Sequence, residues 1–130
     1  MSLKQVVFGF ASETGMGTSI IEEVYAVVAD ALPDIDADLP EELDTQAKKL
    51  IDQNDGRQTL LVLSCSSTGT GQIPANGRQF YHRLAQNRLK DVSYFMLCLG
   101  DSNYSNFMGG PKLMDQALSN SGSIVFIYFD

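Results

Sequence analysis

The chain is poor in the residues that several common chemistries require. It has one histidine, His82, so it cannot assemble a His-rich metal site on its own. Its two cysteines, Cys65 and Cys98, each lie inside an apolar run, which is neither a disulfide framework nor a metal-type Cys/His cluster. Basic residues are scarce: nine Lys and Arg stand against sixteen Asp and Glu, for a net charge of −7. A nucleic-acid binder presents a basic stripe, and none is visible. No apolar run approaches the ~18 residues of a membrane span, and the N-terminus has no secretory signal pattern. These absences point to a cytoplasmic protein with neither nucleic acid nor membrane as partner.

What is present suits one folded domain over residues 1–130. The sequence is 44% hydrophobic and 19% charged, a globular and not a disordered balance. A chain of this size buries roughly 67% of the surface its unfolded form exposes, enough for one core without staples. Four short runs, Gln5 to Ala11, Thr59 to Cys65, Val92 to Leu99 and Ile124 to Phe129, are almost continuously apolar. That is the habit of strands covered on both faces in a parallel sheet. Ile35 to Leu39 alternates instead and suits an edge strand.

Helical patterns separate these runs. Ile20, Ile21, Val24, Val27, Val28, Ala31 and Leu32 recur at helical spacing from Thr18 to Leu32, with Glu22, Glu23 and Asp30 on the other side. Pro33 ends that helix. Leu43, Ala47, Leu50 and Ile51 make a second stripe. A third helix begins near Pro74 with Gly77, Phe80 and Leu84 inward. Leu113, Ala117 and Leu118 make a fourth, with Gly122 as a left-handed C-cap. The order is β-α-β-α-β-α-β-α-β, an α/β layer structure with right-handed crossovers. The sequence reaches Asp130 right after the fifth strand, so a final helix is expected to be missing.

Ligands of open parallel sheets bind beyond the carboxyl ends of the strands. After the first strand come Ser12, Glu13, Thr14, Gly15, Met16, Gly17 and Thr18, leading into a helix. Backbone N–H groups at a helix start, hydroxyls and glycines make an anion cradle; ordinary helix capping is the competing account. The lysine of a phosphate-binding nucleotide loop is absent, and Ile20 stands where a dinucleotide fingerprint needs glycine or alanine, so a monophosphate fits better. After the third strand come Ser66, Ser67, Thr68, Gly69, Thr70 and Gly71, uncharged donors suited to a polar ring edge or to a plain turn. After the fourth comes a long connection from Gly100 to Gly110, holding Tyr104 and Phe107. Its aromatics either stack on a flat heterocycle or fold into the core. A phosphate cradle, a polar ring edge and an aromatic face at one end of a sheet together describe flavin mononucleotide (FMN).

Ser12-Glu13-Thr14-Gly15-Met16-Gly17, Ser66-Ser67-Thr68-Gly69-Thr70-Gly71 and Leu99-Gly100-Asp101-Ser102-Asn103-Tyr104-Ser105-Asn106-Phe107 resemble the three FMN loops of the flavodoxin family. More closely, they resemble those of the FMN domain of diflavin reductases, of the sulfite reductase flavoprotein and methionine synthase reductase type. The resemblance implies a flavodoxin-like, doubly wound, five-stranded parallel sheet in the order 2-1-3-4-5. It implies that Ser12 to Gly17, with Thr18, hold the FMN phosphate and that Ser66, Ser67, Thr68 and Gly69 border the ribityl chain and ring. It further implies that Leu99, Gly100, Asp101, Asn103, Tyr104, Asn106, Phe107 and Met108 wrap the other side, with Tyr104 stacked on the ring. Gly69 matches the position beside flavin N5, where a peptide without a side chain turns cheaply. Two departures stand out: Thr68 replaces an aromatic found in many relatives, and the family's final helix, which covers part of one sheet face, is expected to be missing.

The implied function is one-electron transfer, from an FAD/NADPH reductase domain or protein as donor to a redox protein with a basic docking face as acceptor. Oxidoreductase activity would then belong to a reductase system and not to this domain alone. Glu13, Glu22, Glu23 and Asp101 are candidates for an acidic rim that steers such a partner. The alternatives are a self-standing flavodoxin carrier, or a non-redox flavodoxin-like binding or regulatory module. A receiver domain would need an aspartate ending the third strand, where Ser64-Cys65 stands. A quinone reductase would need a nicotinamide site that the sequence does not offer. No acid–base pair or nucleophile stands out.

Overall fold

The computed structural model describes residues 3–12, 15–67, 71–99 and 109–129. Four strands form its centre: β1 (Gln5–Ala11), β4 (Thr59–Ser66), β5 (Val92–Leu99) and β6 (Ile124–Phe129). They are parallel and adjacent in the order β1-β4-β5-β6, with Ala11 opposite Cys65 and Cys65 opposite Cys98 in the register. The runs of β1, β4 and β5 are almost continuously apolar because successive residues face opposite layers and both layers bury them.

The second strand departs from expectation. Ile35 to Leu39 does not pair along its length. Two two-residue pieces, β2 (Asp36–Ala37) and β3 (Glu41–Glu42), flank β1 instead, opposite Gln5–Val6 and Gly9–Phe10. Pro40, just before β3, has no N–H to give a ladder. Between the two pieces Gln46 takes the strand's place: its Nε2 donates to the Phe8 carbonyl at 2.8 Å from a position 2% exposed. With β2 counted as the second strand, the sheet runs 2-1-3-4-5, and β3 is an addition to it.

Helices cover both faces. On one side lies α1 (Met16–Ala31), whose Ile21 is buried with Val6, Phe8 and Val62, and Tyr25 meets Phe8 edge-on at 5.2 Å. The Leu32 N–H closes the helix on Val28 O at 2.9 Å. The apolar stripe expected for this helix is narrower than it read, for Val27 is 69% exposed, and Ala31 and Leu32 are exposed too. On the other side lie α2 (Leu43–Ala47), continued by one π-helical turn (Lys48–Asp52), α3 (Ala75–Leu84) and α4 (Gly109–Asn120). Leu43, Leu50, Phe80, Leu84, Met114 and Leu118 pack there on Leu61, Leu63, Tyr94 and Met96. The inward stripe of α4 is Gly110, Met114 and Leu118, whereas Leu113, expected to be inward, is 39% exposed. Gly122 ends α4 with φ +97°, as its C-cap position predicted. Among the described residues, no helix is long and apolar enough to cross a membrane.

Candidate functional site

From β1 the chain runs outward to β2 on one side, then returns to β4 on the other. That reversal is a topological switch point, and the carboxyl ends of β1 and β4 open a crevice there. Ser12 and Ser66–Ser67 emerge at this end.

Ser12 is 8% exposed, and its Oγ is buried without a hydrogen-bond partner among the described residues. A buried hydroxyl left unpaired costs about 1–3 kcal/mol, so a site that keeps one is built for something that satisfies it. Its backbone is fully engaged: Asn76 Oδ1 accepts from the Ser12 N–H at 3.0 Å, and Asn76 Nδ2 donates to the Ser12 carbonyl at 3.2 Å. Gly15 is the N-cap of α1 in a left-handed conformation, φ +83°, that only glycine adopts cheaply. Among the described residues no side chain caps this helix start, and no acidic residue stands in its first turn. The first-turn N–H groups therefore stand at the positive end of the helix dipole with no competing carboxylate from that turn. Gly17 is buried, and its carbonyl accepts from Ser64 Oγ at 3.1 Å. Thr18 is half-buried in the first turn. An unpaired buried hydroxyl beside an uncapped helix start is a donor set without an acceptor, which fits an anionic group such as a phosphate.

The second segment is tied to the start of α4. Ser67 Oγ accepts from the Gly110 N–H at 2.9 Å. A Cβ at Gly110 would lie 2.5 Å from Ser66 O, 2.9 Å from Gln72 O and 3.1 Å from Ser67 Cα, so glycine alone permits this approach. Ser67 thus holds a helix end, while Ser66 is half-buried at the end of β4. Glu13, Thr14, Thr68, Gly69, Gly100, Asp101, Asn103, Tyr104, Asn106, Phe107 and Met108 lie outside the described residues. Met16 and Leu99 are placed by their backbones at the start of α1 and the end of β5.

Asn76 is absent from the sequence reading, and Ser64 enters it only as the residue standing where a receiver domain would need an aspartate. Asn76 read as an ordinary residue of a helix start; its partner is 64 positions away, and no local pattern signals it.

The cysteines are core residues. Cys65 and Cys98 are both buried and unoxidised. Burial, and then the neighbouring Cys98, push the Cys65 thiol far above its ordinary range, so it is no nucleophile at neutral pH. His82 is exposed on α3. Among the described residues, no group of three or more His, Cys, Asp or Glu could hold a metal ion.

The family model of flavodoxin matches residues 7–128. Methionine synthase reductase of Caenorhabditis elegans is 32% identical over 124 residues, covering 90% of this chain and 17% of that protein. The sulfite reductase [NADPH] flavoprotein alpha-component of Aliivibrio fischeri is 29% identical over 121 residues, covering 91% of this chain and 19% of that protein. The chain therefore spans less than a fifth of the length of these relatives. Among solved structures, the flavodoxin of Fusobacterium nucleatum bound to flavin mononucleotide superposes with a TM-score of 0.72 at 16% identity, covering 95% of this chain and 70% of that one. The match over nearly the whole sequence and the shared fold lead to one conclusion: this chain belongs to the flavodoxin family.

Proposed function

We propose that this chain is an FMN-binding electron-transfer domain. The observation that carries the reading is the buried Ser12 hydroxyl, without a partner among the described residues, beside the glycine-started α1 that no described side chain caps, at the switch point of the sheet. Family membership supports the same cofactor.

Ser12 Oγ and the first-turn N–H groups of α1 hold the phosphate, joined by Thr14 and Thr18. Ser66 and the residues that follow it border the ribityl chain and the ring. Tyr104, on the connection after β5, covers the ring face. Bound FMN supplies electron transfer in one-electron steps; the chain supplies binding, orientation and electrostatics. The net charge of −7 and the exposed Glu22 and Glu23 on α1 favour docking by a basic surface. The donor is an FAD/NADPH reductase module and the acceptor a redox protein with a basic face. This assignment is supported by the two relatives, one a reductase by name and the other the flavoprotein component of an NADPH reductase.

The test is a visible-absorption and flavin-fluorescence titration of the purified chain with FMN, followed by stepwise photoreduction. Stoichiometric binding and reduction in two separable one-electron stages are expected. Absence of FMN binding overturns the reading.

A further inference from the structure

The segment assigned to the phosphate starts at Ser12 and ends at Gly17, and a side chain from outside it grips each end. At the entry, Asn76 meets both backbone groups of Ser12, one as acceptor and one as donor. An amide used this way offers what a neighbouring strand would offer. The pairing of β1 with β4 stops at Ala11, opposite Cys65, so Asn76 carries the restraint one residue past the ladder. Gly77 brings it there: a Cβ at Gly77 would lie 2.6 Å from Ala11 Cβ, so the first turn of α3 presses on the end of β1 as only glycine allows.

At the exit, fully buried Ser64 donates to the Gly17 carbonyl at 3.1 Å. That carbonyl sits in the first turn of α1, where helical geometry already gives it the N–H four residues on. The serine's bond is therefore an addition, and what it adds is position. The grips come from opposite layers: Asn76 from α3, and Ser64 from the face of β4 that Val62 shares with α1.

We propose that Asn76 and Ser64 are positioning residues for the phosphate end of FMN. They hold Ser12 and the start of α1 in one arrangement, so that the Ser12 hydroxyl and the helix amides converge on a single anion. Neither side chain touches the cofactor. The proposal rests on the FMN reading above. The competing role is bracing of the fold alone, α3 to β1 and α1 to β4. Riboflavin separates the two, because it shares the ring and ribityl chain and lacks the phosphate.

The experiment measures dissociation constants of the full chain for FMN and for riboflavin by fluorescence quenching. It compares the wild type, Asn76→Ala, Ser64→Ala and the double variant, with the urea midpoint of each apoprotein alongside. Each single variant is expected to weaken FMN binding about tenfold, the effect of one hydrogen bond of ordinary strength. The ratio of FMN to riboflavin affinity is expected to fall by a similar factor. An unchanged ratio overturns the proposal, whether both ligands weaken together or neither does. Ser64→Ala removes one oxygen beside a helix that keeps its own bonds. Should Asn76→Ala fail to fold, a positioning role for Asn76 is refuted, and Ser64→Ala decides the other half. A wild type that binds no FMN refutes the FMN reading itself; a wild type that binds it beside unaffected variants refutes only this proposal.

Discussion

Gly9 and Gly110 pose the same steric problem with different solutions. A Cβ added at either would lie 2.5 Å from its nearest neighbour. At Gly9 that neighbour is Leu43 Cδ2, the far end of a flexible side chain, with Leu43 Cγ next at 3.4 Å. At Gly110 it is the Ser66 carbonyl oxygen, followed by Gln72 O at 2.9 Å and Ser67 Cα at 3.1 Å, all backbone. Backbone cannot rotate aside, so Gly110→Ala must push the start of α4 off the end of β4. Overpacking of this kind costs about 1–3 kcal/mol, and the upper half applies here. The displacement also loosens the Ser67 Oγ bond to the Gly110 N–H, adding about 1 kcal/mol. The helix propensity of alanine returns at most about 1 kcal/mol. The net loss is about 2–3 kcal/mol. Gly9→Ala needs only a rotamer change at Leu43, about 1 kcal/mol, offset by the ~0.4–1 kcal/mol that alanine removes from unfolded-chain entropy. Urea denaturation of both variants, followed by far-UV circular dichroism, measures the difference. We expect Gly110→Ala to be less stable than Gly9→Ala by about 2 kcal/mol. Equal losses, or a greater loss at Gly9, would show that the kind of neighbour does not set the cost.

Three further outcomes follow from individual contacts. Gln46→Leu strands the Phe8 carbonyl in the gap between β2 and β3, and urea denaturation should show a loss of about 1–3 kcal/mol; no loss would mean that water or a shifted strand replaces Gln46. Arg83, hydrogen-bonded to Asp52 at 2.5 Å, holds the Asp52 carboxyl below the ordinary carboxylate range. Because the folded-state value is the depressed one, this exposed pair adds its small stability above the unfolded value of about 4 and loses it as pH falls through the folded value. Carboxyl titration by NMR should find Asp52 low in the wild type and back in the ordinary range in Arg83→Gln. Cys65, buried and with its thiol raised, should stay unlabelled by a thiol reagent at pH 7 in the native chain and react at once in urea. Rapid native labelling of Cys65 would contradict its place in the core.

The strands β1, β4 and β5 were legible because burial on both faces leaves a mark that needs no knowledge of partners: runs of seven or eight mostly apolar residues without regular alternation; the six residues of β6 carry the same apolar pattern in the sequence. The start of α1 was legible for a similar reason, since Gly15 and Gly17 stand where a chain must turn sharply and approach closely. The face of α4 was legible only in part: Leu118 is buried and Ala117 packs on the core as expected, but Leu113 is exposed and Met114 is buried in its place. Leu113 with Ala117 and Met114 with Leu118 are equally good four-residue spacings. They differ by one position, about 100° of helix rotation. Gly110 chose between them, because only its lack of a Cβ lets α4 close on Ser66 and Gln72, which turns Met114 and Leu118 inward.

By itself, then, the sequence determined the layer order, the parallel sheet and the segments from which a ligand site could be built. All of these rest on periodicity and on the local conformational preferences of glycine and proline. Tertiary structure alone decided how the second strand divides, with Gln46 standing in for its missing middle, and how the first segment is held, with Asn76 and Ser64 at its ends. Those contacts join residues 38 to 64 positions apart. A hydrogen bond between such residues leaves no trace in local spacing, because the fold, not the neighbouring sequence, brings the two groups together.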